Sequence, residues 1–104
     1  MKIIKDLIEK MDDTLEEVEF YAREAHHLRV DHKALADTYA TVGGMHVEIY
    51  KMLHDRAVLL INEEKQKGVA VPPEMMAIWD FEHRRLMEEF NEAKYMLEEY
   101  KKAY

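Results

Sequence analysis

Histidines are the residues in this sequence whose spacing from acidic side chains could support metal chemistry. The six are His26, His27, His32, His46, His54 and His83. A carboxylate stands three residues before two of them, in Glu24-x-x-His27 and Asp80-x-x-His83. Residues three apart share one face of a helix, so each pair could offer an oxygen and a nitrogen to a cation. The spacing raises the hypothesis of a metal site.

The elements that would carry these two pairs argue against a shared metal. Carboxylate-bridged dimetal sites in ferritin-like bundles draw their ligands from four helices, whereas this chain provides three. In an up-down-up bundle, His27 and His83 lie near opposite ends, about 30 Å apart at the rise of a helix. Only an antiparallel dimer would bring the pairs together. We therefore expect no cofactor, and a metal-binding ferritin-like protein acting as a dimer is the alternative function.

Three further positions place histidine on apolar or aromatic rows. His83 occupies a core position of the last predicted helix, beside Trp79. Such a histidine is neutral and hydrogen-bonded, or it acts as a pH sensor in a helix interface. His46, Tyr50 and His54 follow a spacing of four, which favours contact with another helix over cation binding.

No arrangement for nucleophilic or phosphate chemistry is visible. The sequence contains no serine and no cysteine, and its threonines have no partner that could act as a base. The pair Gly43-Gly44 follows no strand, so it is not a phosphate-binding loop. These absences predict a protein that is not an enzyme.

Length and charge limit the remaining classes. The chain of 104 residues predicts a single domain, 1–104. The formal net charge of −7 disfavours nucleic acid, which needs a basic stripe, and an anionic membrane surface. No apolar run resembles a signal peptide or approaches the roughly 20 residues that span a bilayer. A cytoplasmic location is expected, and the lack of cysteine fits a reducing compartment.

Apolar residues recur at three and four in the first and last thirds of the chain, which predicts amphipathic helices that pack as in coiled coils. The first stripe is Ile4, Ile8, Met11, Leu15, Val18, Ala22 and Ala25. The last is Met76, Trp79, His83, Leu86, Phe90, Ala93, Leu97, Tyr100 and Tyr104. The segment "QKGVAVPPEMM" before the last helix predicts a linker, with Gly68 ending one helix and a proline opening the next.

The first reversal has two possible positions, Asp31 as a helix N-cap or the pair Gly43-Gly44. A turn at Asp31 gives helices of about 28, 37 and 31 residues, whereas a turn at the glycines leaves one long end uncovered. We therefore predict the turn at Asp31 and a second helix that passes through both glycines. Small residues there would make room for Phe20 and Tyr21 on the first helix.

The second helix is apolar on more sides than two neighbours can cover. Its main row is Leu35, Val42, Met45, Ile49, Met52 and Leu59, beside a second row of Tyr39, His46, Leu53 and Leu60. Contiguous exposed apolar surface usually marks a partner site, and a two-fold homodimer is the commonest solution. The surplus residues predicted to form this interface are Phe20, Val47, Tyr50, His54, Val58 and Ile61.

Together these patterns predict an all-α, antiparallel up-down-up bundle of three long helices. The predicted function is a non-enzymatic interaction or assembly module that forms a homodimer, with an unknown protein partner as the other possibility. The motifs "LADTY…MH…Y..LHD" and "IWDFEHRRL", joined by the proline-containing linker, resemble small uncharacterised helical proteins encoded in prophages of Gram-positive bacteria. The resemblance covers Leu35 to Leu86 and implies a mobile-element context without any catalytic residue.

Overall fold

Three helices joined by two short connections form the computed structural model, which describes residues 2–68 and 72–103. Helix α1 spans Lys2–Leu28, α2 spans Lys33–Gln66 and α3 spans Pro73–Ala103. The described residues include no strand. Helix α1 packs closely against both others, while α2 and α3 meet mainly through their side chains. The predicted all-α three-helix bundle is confirmed.

The two connections reverse the chain twice, so α2 runs antiparallel to its neighbours. Helices α1 and α3 run parallel, because Arg85 contacts Asp12 and, further along both helices, Met96 accepts a hydrogen bond from His26. The bundle is a rod with extents of 56 × 20 × 18 Å. No helix in the described part of the chain is both long and apolar enough to cross a membrane.

Helix α1 buries the stripe that its sequence predicts. Its buried residues are Ile4, Ile8, Met11, Leu15, Val18, Ala22 and Ala25. Charged side chains cover most of the remaining surface of this helix, so one face leaves water at the lowest cost. The three- and four-residue spacing therefore determines its orientation.

The first reversal lies where the sequence predicts it, since α1 ends at Leu28 and α2 begins at Lys33. Helix α2 continues without a break through both central glycines. The predicted N-cap is wrong by one residue. His32 holds that position with φ −138° and no side-chain capping bond, while Asp31 lies exposed in the turn.

The second reversal also follows its predicted signals. Gly68 has a φ of +71°, the left-handed conformation that glycine adopts at least cost, and its N–H donates to the Lys65 carbonyl at 3.2 Å. Pro73 is the first residue of α3, where its missing N–H leaves no helical bond unmade. Residues 69–71 of the predicted linker lie outside the described residues.

One of the two glycines allows the close helix approach that the sequence suggests. A Cβ added at Gly43 would lie 3.1 Å from Tyr21 Cβ and 3.1 Å from a Leu97 methyl. The same atom added at Gly44 would approach only the Lys101 ammonium, at 3.3 Å. Gly43 is therefore the spacer between all three helices, and Gly44 is not.

Helix α2 turns a different face inward from the one its hydrophobicity predicts. The buried residues are Ala36, Ala40, Gly43, Val47, Tyr50, Ala57 and Ile61. The predicted main row lies on the surface instead, with Leu35, Met45, Ile49, Met52 and Leu59 all exposed. The reason is size, because alanine and glycine let α1 approach closely enough for tight packing. Three residues predicted for a dimer interface, Val47, Tyr50 and Ile61, therefore belong to the core.

Helix α3 follows its predicted stripe with two differences. Its buried residues are Met75, Trp79, Leu86, Phe90, Ala93, Leu97 and Tyr100. Met75 takes the place predicted for Met76, which is half-buried, and His83 is also half-buried. The predicted last position, Tyr104, lies outside the described residues.

Candidate functional site

Two histidines meet between α2 and α3. The Nε2 atoms of His54 and His83 lie 2.8 Å apart, and the rings stack with centroids 5.0 Å apart. On its other side, the His83 ring stacks on Trp79 with a centroid distance of 4.9 Å. This arrangement joins one residue predicted for an interface to one predicted for the core.

The hydrogen bonds of the pair define where its protons lie. His54 Nδ1 is 3.1 Å from a carboxylate oxygen of Asp55, which can only accept, so Nδ1–H is the donor. In neutral His54 the other nitrogen, Nε2, is then an acceptor. The bond between the rings therefore runs from His83 Nε2–H to His54 Nε2.

The surroundings of the pair oppose its full protonation. Burial lowers the pKa of His83 from the ordinary value of 6.5, and a charge on His54 lowers it further, while Asp80 acts in the opposite direction. A second proton on the pair would place N–H groups on both facing nitrogens and remove the acceptor. The bond between the rings therefore needs an acceptor at His54 Nε2.

The pairing of these histidines could have been predicted from their distances to the linker, which the apolar stripes do not include. Counting equally in both directions from Gly68 places His54 level with Glu82, next to His83, in an antiparallel pair. Sequence reasoning identified His83 as a core histidine but assigned His54 to an outer interface. The length of the connection, together with antiparallel packing, would have brought them together.

The residues proposed for a metal site do not converge within the chain. Glu24 and His27 lie side by side on α1, with 3.7 Å between Glu24 Oε1 and His27 Nδ1. His83 contacts His54 instead, near the level of Asp12 on α1, so His27 lies about 20 Å further along the rod. Among residues 2–68 and 72–103, no group of three or more metal-ligating side chains occurs.

An aromatic stack next to the histidine pair holds α2 to α3. The rings of Tyr50 and Phe90 lie 4.2 Å apart and nearly parallel. The Tyr50 hydroxyl donates only to Met87 Sδ, at 3.9 Å. Burial raises the pKa of Tyr50 to about 12, so the phenol stays neutral. These bulky rings keep the two backbones apart, which explains why this helix contact is the least close of the three.

A polar cluster closes the end of the bundle near the first reversal. The Tyr100 hydroxyl donates to Asp37 Oδ1 at 2.7 Å, and Lys33 Nζ lies 2.5 Å from the same oxygen. The Lys33 bond, and then the Tyr100 bond, hold the pKa of Asp37 below its ordinary value. The cluster joins the start of α2 to the end of α3. Of its residues, the sequence pattern singled out Tyr100 alone, as a member of the apolar stripe of α3.

A second charged cluster joins α1 to α3. Arg85 donates to Glu82 at 2.7 Å, to Asp12 at 3.2 Å and to Glu89 at 3.2 Å. The Glu82 bond is the main reason that the pKa of Arg85 is raised. All four side chains remain partly exposed to solvent, so the cluster orients the helices more than it stabilises them.

A row of apolar residues runs along α2 outside the core, and most of its members are exposed. We call it the outer face of α2 and define it by Leu35, Val42, Met45, Ile49, Met52 and Leu59. Of the residues predicted for an interface, Phe20 is exposed beside Tyr39, with ring centroids 6.1 Å apart. His54 and Val58 are half-buried. The exposed apolar row of α2 thus consists of different residues from those predicted for the interface.

The comparisons with known proteins give no relative for this arrangement. No protein-family model, curated protein or solved structure matches the chain. The histidine pair and the outer face of α2 are therefore interpreted from their geometry.

Proposed function

We propose that this chain is a non-enzymatic helical assembly module that associates with itself. The observation that supports the proposal is the outer face of α2, where five large apolar residues stay exposed although the core is complete. Soluble monomers rarely expose contiguous apolar rows of this length, and such rows usually mark a protein partner. A second copy is the partner always present, and closed two-fold pairing is the commonest outcome.

The cellular location and genetic context that we propose are those expected from the sequence. A cytoplasmic location agrees with the absence of cysteine, and the prophage resemblance provides a context in which small assembly proteins occur. Both remain parts of the proposal. Neither is required for the association of two copies, which depends on the outer face alone.

Light scattering coupled to size-exclusion chromatography, across the micromolar range, tests the proposal. The native chain is expected to have twice its monomer mass of 12.4 kDa at the higher concentrations. A constant monomer mass would contradict self-association and direct the search to a different protein partner.

Matched substitutions locate the surface. Met45→Glu and Met52→Glu each place a charge on the outer face, at side chains that are 59% and 65% exposed. Tyr95→Glu and Phe81→Glu are the controls, since these α3 residues are 61% and 67% exposed. The outer-face variants are expected to be monomeric and the controls to stay dimeric. The reverse pattern would assign the association to α3.

A further inference from the structure

The outer face of α2 carries a complete coiled-coil repeat. Steps of three and four alternate without interruption through Leu35, Thr38, Val42, Met45, Ile49, Met52, Arg56 and Leu59. This spacing is the one with which a helix packs along another helix. The buried residues of α2 occupy the opposite side of the helix. Packing within the chain therefore does not explain this repeat.

From this pattern we infer that α2 pairs with α2 of a second copy in antiparallel orientation, with residue 47 at the two-fold axis. The inference rests on the proposed function and adds the interface and its register. In this register Leu35 lies opposite Leu59, Val42 opposite Met52 and Met45 opposite Ile49. Each apolar residue meets an apolar residue, because the sequence of the repeat reads alike from both ends.

The two polar residues of the repeat determine the orientation. Arg56 is its only charged position, and Thr38 is its only other polar position. A parallel pair in register would place Arg56 against Arg56 of the second copy, where like charges repel. The antiparallel pair places Arg56 opposite Thr38, whose hydroxyl donates to the Ala34 carbonyl and keeps its oxygen available as an acceptor. Such polar positions specify register and orientation in helix pairs.

No carboxylate in the described part of the chain lies within ion-pairing distance of Arg56. In the antiparallel register the guanidinium lies level with the second copy's Thr38. The nearest carboxylate at that level, Asp37, already binds Lys33 and Tyr100 of its own chain. Thr38, and not an ion pair, is therefore the partner that this register provides for Arg56.

The size of the face predicts weak pairing. From Leu35 to Leu59 the helix rises about 36 Å, and a helix is about 10 Å wide. The resulting contact of roughly 400 Å² per chain is about half of a standard specific interface and falls among weak, transient ones. Pairing is therefore expected at the highest concentrations of the light-scattering test.

Disulfide trapping distinguishes the two orientations, and the native chain contains no cysteine to interfere. Leu35→Cys and Leu59→Cys are purified separately, then oxidised mildly alone and as an equal mixture. Antiparallel pairing brings the two different cysteines together and holds identical ones about 36 Å apart. The mixture is expected to form a covalent dimer roughly tenfold faster than either variant alone, because pairing raises the local thiol concentration. Phe81→Cys, at an α3 side chain that is more exposed than Leu35 or Leu59, measures random collision.

The outcomes separate this inference from the proposed function. A faster reaction of Leu35→Cys alone than of the mixture would show parallel pairing and overturn the antiparallel register. Equal rates for the mixture and for Phe81→Cys, with a dimer still seen by light scattering, would place the interface elsewhere and also overturn it. A monomer by light scattering would instead contradict the proposed function.

Discussion

His83 donates its Nε2–H to His54 Nε2 across 2.8 Å, and this bond requires that at least one of the two facing nitrogens carries no proton. The His83 ring also stacks on Trp79, the only tryptophan in the chain. The fluorescence of Trp79 can therefore report the protonation of His83 between α2 and α3.

Acidification is expected to weaken the bundle through this pair. The pKa of His83 is lowered by burial in the folded state, so unfolded chains bind a proton at higher pH than folded ones. Its contribution to stability is complete above about pH 6.5, the unfolded pKa, and is lost as the pH falls from there through the lower pKa of the folded state. NMR titration of the imidazole should give a pKa below 6.5, and Trp79 fluorescence should change over the same range.

A His83→Phe variant is the control for that titration, because it keeps the stack on Trp79 without a titrating group. The unfolding free energy of this variant should depend less steeply on pH around pH 6 than that of the native chain. Identical pH profiles for the two proteins would contradict the assigned role of His83.

The two central glycines should respond in opposite directions to alanine. Gly44→Ala adds a methyl that meets only a flexible lysine end, so the better helix propensity should stabilise the protein by up to about 1 kcal/mol. Gly43→Ala places its methyl 3.1 Å from Tyr21 Cβ, which moves only if α1 moves. Overpacking of this kind costs about 1–3 kcal/mol. Urea denaturation of both variants measures the difference, and equal midpoints would refute the close approach at Gly43.

The start of α2 can be stabilised at the residue that the structure identifies as its cap. His32 makes no side-chain capping bond, whereas serine there could accept a bond from an unpaired backbone N–H. His32→Ser is expected to raise the unfolding free energy by about 0.5–2 kcal/mol. Asp31→Ala tests the cap predicted from sequence and should have an effect smaller than about 0.5 kcal/mol. Thermal denaturation followed by circular dichroism suffices for both.

Tyr50 is expected to behave as a core residue, although its sequence position suggests an interface. Tyr50→Ala removes a ring that is 1% exposed and should cost about 3–5 kcal/mol. Tyr50→Phe should cost less than about 1.5 kcal/mol, because the lost hydroxyl bonds only a sulfur at 3.9 Å. Met52→Ala, on the outer face, provides the surface comparison. A folded, monomeric Tyr50→Glu protein of unchanged stability would contradict this assignment.

The metal-binding alternative predicts a response to chelation that the assembly module does not. The bundle core is apolar and complete among the described residues, so we expect an unchanged melting temperature and mass after treatment with EDTA. Binding of a structural metal contributes about 10 kcal/mol or more, so its loss would be plain. A stoichiometric transition metal in the purified protein would favour the alternative and point to Glu24, His27, Asp80 and His83.

The sequence by itself determined the number of helices, both reversals and the orientation of α1. Charged residues flank a single apolar stripe on α1, so every other rotation would bury charge. Gly68 and Pro73 mark the second connection through their own backbone preferences. The first reversal has no such residue. Its position was predicted from equal helix lengths, because each apolar stripe needs a partner helix along its whole length.

Only the tertiary structure decided which face of α2 enters the core and which histidines meet. Helix α2 is apolar on most sides, so hydrophobicity does not distinguish its faces, and the larger residues of the outer face suggested the wrong one. Close approach to α1 selects the small residues Ala36, Ala40 and Gly43 instead. The bond between His54 and His83 depends on the register of α2 against α3. The position of the linker at Gly68 indicates that register. The bond also needs the rotation of α2 that turns His54 toward α3, and this rotation follows from side-chain packing that no local pattern in the sequence specifies.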